Sequence, residues 1–423
     1  MPPRQPRWPW YSIFLRLLRA MTRRASPALF AITMGTGAIS NLFVAFPYGR
    51  GSQSFNTLSL VFFFFNLLLF VTFSALVIAK YVCYPDRWKS LLRNPITSLY
   101  TGCFPMGATT LISVAAQVIH DRYQFGGRSF VYFIWAVWWV DVIVSFMCCW
   151  IGVHVMVTQQ THALESMTAM WLLPVVTLIV AASSGGVLGQ TLNQYSTPYA
   201  LWTVTVSVYM VTVGLTLALM ILTIYLMRLI IHGLPPGTSI LSVFLPLGPT
   251  GQSGFAIMLI GDNLKVLLPR SPKITTSNFL THEATGPIID IVATSVAFLL
   301  WSLATMWILY ALLAVYSTLR RSWITFRLSF WGLVFPNGVY ANLTIQLADK
   351  FDSSAFRVYG AIYAVATLII WTSIFLRSLL EIKYFFVKPS ERQSPRIDEL
   401  KQPEWRNPRQ EVSPSRTSIT QVA

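Results

Sequence analysis

Charge is what this chain has least of. Only 11% of its 423 residues are Asp, Glu, Lys or Arg, where a soluble domain carries about 25%. With 54% apolar residues, 14% aromatics and a mean hydropathy of +0.58, a soluble globular domain is excluded. Cysteine is scarce too. Cys83, Cys103, Cys148 and Cys149 fall in or beside apolar stretches without metal-site spacing, which predicts free thiols rather than disulfides. The five histidines, His120, His154, His162, His232 and His282, are scattered, so no metal and no cofactor is expected. No cluster of His, Cys or carboxylates marks one membrane face, and an enzyme is not expected. A Gly-x-x-x-x-Gly-Lys-Ser/Thr loop is also lacking, which removes ATP as the direct energy source and leaves a gradient.

What is present is a set of ten apolar stretches, each near or above the roughly 20 residues that cross a bilayer as a helix. They are expected at 27–46, 55–83, 97–118, 129–155, 166–189, 199–231, 239–261, 288–318, 323–346 and 356–386. Glycine and proline divide them unequally: the even-numbered stretches hold three between them, and the odd-numbered ones hold the rest. Pro105, Pro174, Pro246, Pro249 and Pro336 are the expected helix breaks. Broken helices persist in a membrane only where protein or a wet cavity satisfies the freed backbone groups. The alternation therefore predicts an all-α integral membrane protein of ten transmembrane helices, with the odd helices inside and a pore among them. An apolar-Pro-x-Gly core repeats at Phe104-Pro105-Met106-Gly107, Leu245-Pro246-Leu247-Gly248 and Phe335-Pro336-Asn337-Gly338. Successive odd stretches begin about 70 to 85 residues apart, one helical hairpin per repeat.

The basic excess, 31 Lys and Arg against 15 acidic residues, concentrates at the two ends of the chain and predicts membrane orientation rather than nucleic-acid binding. With both termini cytosolic, 23 of the 31 fall on the inner side. Residues 1–25 lack a cleavable signal pattern. Trp8, Trp10, Tyr11, Phe14 and Leu17 interleave with arginines there, which predicts a cytosolic basic amphipathic segment on the inner leaflet. Residues 26–386 read as one ten-helix transmembrane domain, and 387–423, rich in Ser, Thr, Pro, Arg and Gln, read as a disordered cytosolic tail.

No Lys or Arg stands near the centre of an odd stretch, so a negative solute would be held by weaker partial charges. A helix start exposes N–H groups and the positive end of a dipole. The polar groups beside the breaks add donors: Thr33, Thr36, Ser40 and Asn41, next to Gly35, in the first stretch, Thr109 in the third, and Ser183 and Ser184 in the fifth. Gln252 and Ser253 serve the seventh, Asn337 and Asn342 the ninth. Multiple weak sites suit conduction, because an ion must leave as well as enter. Asp141 lies deep in the fourth stretch, either as a proton carrier or paired with a basic residue or a freed backbone group. Asp290 and Arg357 lie near the outer ends of their stretches and are expected as an ion pair or as vestibule charges.

Several motifs carry a resemblance: Met34-Gly35-Thr36-Gly37-Ala38-Ile39-Ser40-Asn41, Trp138-Trp139-Val140-Asp141, Ala181-Ala182-Ser183-Ser184-Gly185-Gly186, Leu247-Gly248-Pro249-Thr250-Gly251-Gln252-Ser253-Gly254-Phe255, and Phe330-Trp331-Gly332 with Phe335-Pro336-Asn337-Gly338. Through them, residues 26–386 resemble the tellurite-resistance, dicarboxylate-transporter and slow-anion-channel family, and within it the fungal sulfite efflux pumps. The resemblance implies five hairpins in a ring, a pore in each protomer of a homo-oligomer in the plasma membrane, and a small inorganic or organic anion as cargo. Sulfite or bisulfite efflux is the leading expectation, with a C4-dicarboxylate such as malate second. It also implies that Phe335, by position, is the aromatic that plugs the pore.

Overall fold

Every helix of the inner set is approached through a tight 3-10 turn, and proline explains why. In the computed structural model, which describes residues 18–269, 280, 282–321 and 323–387, with side chains as far as 381, these turns are Pro27–Leu29, Leu99–Gly102, Ala169–Leu172, Gly237–Phe244 and Leu328–Leu333. They lead into α1 (Phe30–Ala45), α3 (Cys103–Val114), α5 (Leu173–Leu192), α7 (Leu247–Leu267) and α9 (Val334–Lys350). Between them run α2 (Gln53–Cys83), α4 (Gly127–Gln159), α6 (Thr197–His232), α8 (Thr285–Leu319) and α10 (Ser354–Val387), with a short helix, Asp86–Arg93, after α2. Among the described residues there is no strand.

The prolines expected as helix breaks stand at helix starts. Pro105, Pro174, Pro249 and Pro336 all lie within the first three residues of their α-helices, and Pro246 caps α7. A first-turn N–H has no acceptor within the helix, so a proline there sacrifices nothing. These prolines mark where a 3-10 turn becomes an α-helix.

Among the described residues, nine helices are long and apolar enough to cross a membrane, not the expected ten. The exception is the predicted 323–346 span. Its α-helix, α9, has 17 residues and carries Asn337, Asn342, Gln346, Asp349 and Lys350, yet 14 of the 17 are buried. Protein rather than lipid surrounds it, and a buried helix can be short and polar. Burial separates the two sets: 61–100% of the apolar window is buried in the spans containing α1, α3, α5 and α7, against 17–33% in those of the even helices.

Each odd helix packs on the even helix that follows it, and the odd helices also pack on one another. The contacts run α1 to α3, α3 to α5, α5 to α7, α7 to α9, and α9 back to α1. Glycine permits the close approach. A Cβ at Gly251 of α7 would lie 3.2 Å from the Tyr340 backbone nitrogen of α9, and one at Gly338 of α9 would lie 3.0 Å from the Ala38 methyl of α1. The even helices hold this inner set through indole N–H groups: Trp138 donates to the Ala181 carbonyl at 3.0 Å, Trp301 to Thr344 Oγ1 at 2.9 Å, and Trp371 to Thr36 Oγ1 at 3.2 Å. All four cysteines are free. Most of the expected N-terminal amphipathic segment, 1–17, and nearly all of the tail, 388–423, lie outside the described residues.

Candidate functional site

A cavity of about 320 Å³ lies among the five odd helices. Its wall is a set of helical stripes, because positions three, four and seven residues apart share one face. The stripes are Ala38, Asn41 and Ala45 on α1, Thr109, Ser113 and Gln117 on α3 and its π-helical continuation, and Val180, Ser183, Val187 and Gln190 on α5. Gln252, Phe255 and Leu259 face it from α7, and Phe335, Val339, Asn342, Gln346 and Asp349 from α9. Asn56 of α2 and the loop residues Arg50, Gly51 and Arg122 complete the lining at the end where the odd helices finish. From Phe335 to Asp349 is 14 residues of α-helix, about 21 Å at 1.5 Å per residue. Phe335, buried at the second residue of α9, lines the end nearest the helix starts, and the mouth carries the exposed charges.

All charge in this lining sits at the mouth, on Arg50, Arg122 and Asp349. Arg50 Nη1 meets Asp349 Oδ2 at 2.5 Å, and Arg122 donates to the Gly51 carbonyl. Beside Arg122, burial pushes the Asp121 carboxyl above the ordinary carboxylate range, opposed by hydrogen bonds from Thr191 and Gln194 and by His120. Below the mouth the polar lining is amide and hydroxyl only. The Gln252 amide donates to Ser183 Oγ, joining α7 to α5, and Asn41 Nδ2 donates to the Gly37 carbonyl at 3.0 Å. The Asn342 and Gln346 side-chain oxygens, one turn apart on α9, are buried without a hydrogen-bond partner. A buried amide oxygen left unpaired is costly.

Of the residues expected to line the path, Asn41, Thr109, Ser183, Gln252, Asn342 and Phe335 do face the cavity. The others turn into helix contacts. Thr33 and Ser184 bond back to their own helices, to the Phe30 and Ala181 carbonyls, and Ser40 donates to the Ser59 carbonyl of α2 at 2.7 Å. Gly35 packs on Val334 and Trp331, Thr36 accepts from Trp371, and Ser253 is buried without a partner. Asn337 accepts from Tyr363 at 2.5 Å and donates to the Leu333 carbonyl, pinning α9 to α10.

The expected charges also resolve differently. Asp290 pairs with Lys265 at 3.0 Å and Lys350 at 2.5 Å, while Arg357 pairs with Asp352 at 3.1 Å, so the two form no pair with each other. Asp141 is buried on α4 outside the cavity lining, and its Oδ2 has no hydrogen-bond partner. Among the described residues it pairs with no basic group.

A family model described as a voltage-dependent anion channel, SLAC1, matches residues 24–379. The chain belongs to that family. Its relatives within the family include the sulfite efflux pump SSU1 of Trichophyton rubrum, 33% identical over 350 residues that cover 82% of this chain and 88% of the relative. The sulfite efflux pump SSU1 of Saccharomyces cerevisiae is 24% identical over 389 residues, 81% of this chain and 84% of its own. The malic acid transport protein of Schizosaccharomyces pombe is 22% identical over 344 residues, 81% and 75% respectively. Family membership makes the chain one of a group of anion channels and transporters and agrees with a cavity whose only fixed charges are at one end.

The sequence reading missed Ser113, Gln117, Gln190 and Gln346, and the mouth charges Arg50, Arg122 and Asp349. A signal for three of these seven existed. Counting one turn onward from Thr109 and Asn342 reaches Ser113 and Gln346, and counting two turns onward from Ser183 reaches Gln190. Nothing local announces that Arg50 and Asp349, 299 residues apart, share one mouth.

Proposed function

We propose that this chain is a membrane anion exporter whose cargo is sulfite or bisulfite. The observation that carries this reading is the cavity: all five odd helices contribute to it, amides and hydroxyls line its depth, and its fixed charges are confined to one end. In this reading the odd helices form a ring of five hairpins around an anion path within each protomer, and α9 is the tenth spanning helix, carried by protein rather than by lipid. Amide N–H and hydroxyl groups hold an anion loosely enough to release it, and two guanidiniums against one carboxylate at the mouth disfavour cations. Phe335 is the gate: it lines the end of the cavity where α9 begins, and its displacement opens the route to the other side.

The orientation is that of both termini in the cytosol, in the plasma membrane, with a homo-oligomeric assembly. The driving force is the membrane potential, which favours outward movement of an anion by roughly 2.3 kcal/mol per charge per 100 mV, a bias of tens of fold. A proton gradient is the alternative supply, with the unpaired Asp141 as its candidate carrier. Sulfite is placed first because the relatives named as sulfite pumps are the more similar ones; malate stands second on the likeness to the malic acid transport protein.

The test is flux from proteoliposomes loaded with sulfite, malate, nitrate or chloride across a pH series. Sulfite movement well above that of malate is the expected result. Malate without sulfite would reverse the order, and movement of neither would end the proposal.

A further inference from the structure

The mouth of the cavity holds one pairing that the fold does not need. Arg50, on the loop between α1 and α2, donates from Nη1 to Asp349 at 2.5 Å and from Nη2 to the Ala45 carbonyl at 3.1 Å. Asp349 closes the polar stripe of α9, one turn beyond Gln346. Both side chains are close to half exposed, at 47% and 40%, and such pairs contribute little to stability.

The same end is braced elsewhere. Lys350 turns away from the mouth and bridges Asp262 and Asp290, each at 2.5 Å, while Lys265 holds the other Asp290 oxygen at 3.0 Å. That network joins α7, α8 and α9 with side chains less exposed than the Arg50 pair at three of its four members. A second guanidinium, Arg122, reaches the same mouth and meets no carboxylate among the described residues.

We propose that Arg50 is a cargo-binding residue at the mouth and that Asp349 is its resting occupant, an internal carboxylate that a passing small oxyanion displaces. This rests on the reading of the cavity as the anion path. A carboxylate and a small oxyanion offer a guanidinium the same donor-accepting oxygens. When the oxyanion takes the Nη1 position, Asp349 swings into solvent, Arg50 stays anchored on the Ala45 carbonyl, and Arg122 completes a two-guanidinium site. When Asp349 returns, it competes the cargo off. The pair therefore keeps the site from trapping its cargo, as a conducting pathway requires.

The role separates from a brace by the sign of two effects. In proteoliposomes, sulfite flux is measured against concentration for the wild type, Asp349→Asn and Arg50→Gln, with thermal unfolding of each in detergent. Asp349→Asn removes the competitor and is expected to lower the half-saturating sulfite concentration about two- to fivefold; Arg50→Gln removes the site and is expected to raise it by a similar factor. Arg50→Lys keeps the charge without the fork and is expected between wild type and Arg50→Gln. Shifts in the same direction for Asp349→Asn and Arg50→Gln, or no shift in either while the wild type conducts, would overturn the proposal. A wild type that moves no sulfite above protein-free vesicles would remove the transport reading itself, and this inference with it.

Discussion

At the scale of single residues, what matters is which side of its helix a polar group occupies. Ser183 and Ser184 are adjacent in sequence and each hydroxyl bonds back to the carbonyl three residues earlier, yet Ser183 faces the cavity, where it also accepts from Gln252, while Ser184 does not line it. One residue is 100° of rotation, enough to move a hydroxyl from the cavity wall to a helix contact. Phe335 is the opposite case, an apolar ring held on the polar stripe of α9 beneath Val339 and Asn342. If it closes its end of the cavity, Phe335→Ala should raise sulfite flux, and current under an imposed potential, by roughly tenfold or more. Unchanged flux from a variant with wild-type thermal stability would return Phe335 to a packing role. Asn337, expected from the sequence as a lining donor, and Tyr359 join polar chains here: Tyr363 to Asn337, and Thr305 through Tyr340 to Tyr359. The buried members of such chains are stabilising only while they stay satisfied.

At the scale of helices, proline and glycine act at different places. Proline stands at the start, where α-helix takes over from the 3-10 turn, and glycine along the shaft, where a neighbour comes close. Gly185 of α5 shows the second use. A Cβ there would lie 2.6 Å from the Trp138 ring and closer still to the Ser207 hydroxyl, so α4, α5 and α6 meet at a point with no room for a methyl group. Gly185→Ala is therefore expected to cost about 1–3 kcal/mol by overpacking, seen as a lower unfolding midpoint in detergent. Gly248, which has nothing within 4 Å of a built Cβ, is the control. Its change to Ala should be neutral within about 0.5 kcal/mol. Equal effects at the two positions would show that packing at Gly185 is looser than its geometry implies.

At the scale of the whole molecule, two sets of helices divide the work. The even helices present apolar surface, with Phe64, Leu68, Trp202, Tyr209 and Ile230 among their exposed side chains, and the odd helices are buried against them and one another. This lets α9, the most polar of the ten, sit where a lipid-facing helix could not. A path whose fixed charge is confined to one end also has a directional consequence. If it conducts anions, an inside-negative potential imposed with potassium and valinomycin should increase sulfite efflux from proteoliposomes and shift its equilibrium distribution outward by tens of fold at about 100 mV for a singly charged species. A flux indifferent to the imposed potential would point instead to electroneutral, proton-linked movement, for which Asp141→Asn becomes the decisive variant.

The sequence by itself determined the class of molecule and the division of its helices. Apolar run length is a local property that sets what can cross a bilayer, and small residues and prolines declare which helices pack tightly before any packing is known. It also picked out Asn41, Thr109, Ser183, Gln252 and Asn342, because polar groups near conspicuous Gly and Pro positions on inner helices have few places to go, and Phe335 came from its position in the family resemblance. Only the tertiary structure decided which hydroxyls face the cavity, since the rotation of each helix is set by contacts with partners tens to hundreds of residues away. The same holds for α9, whose polarity is tolerable only inside a shell of other helices. It holds most plainly for Arg50 and Asp349, brought to one mouth by the closure of α9 upon α1.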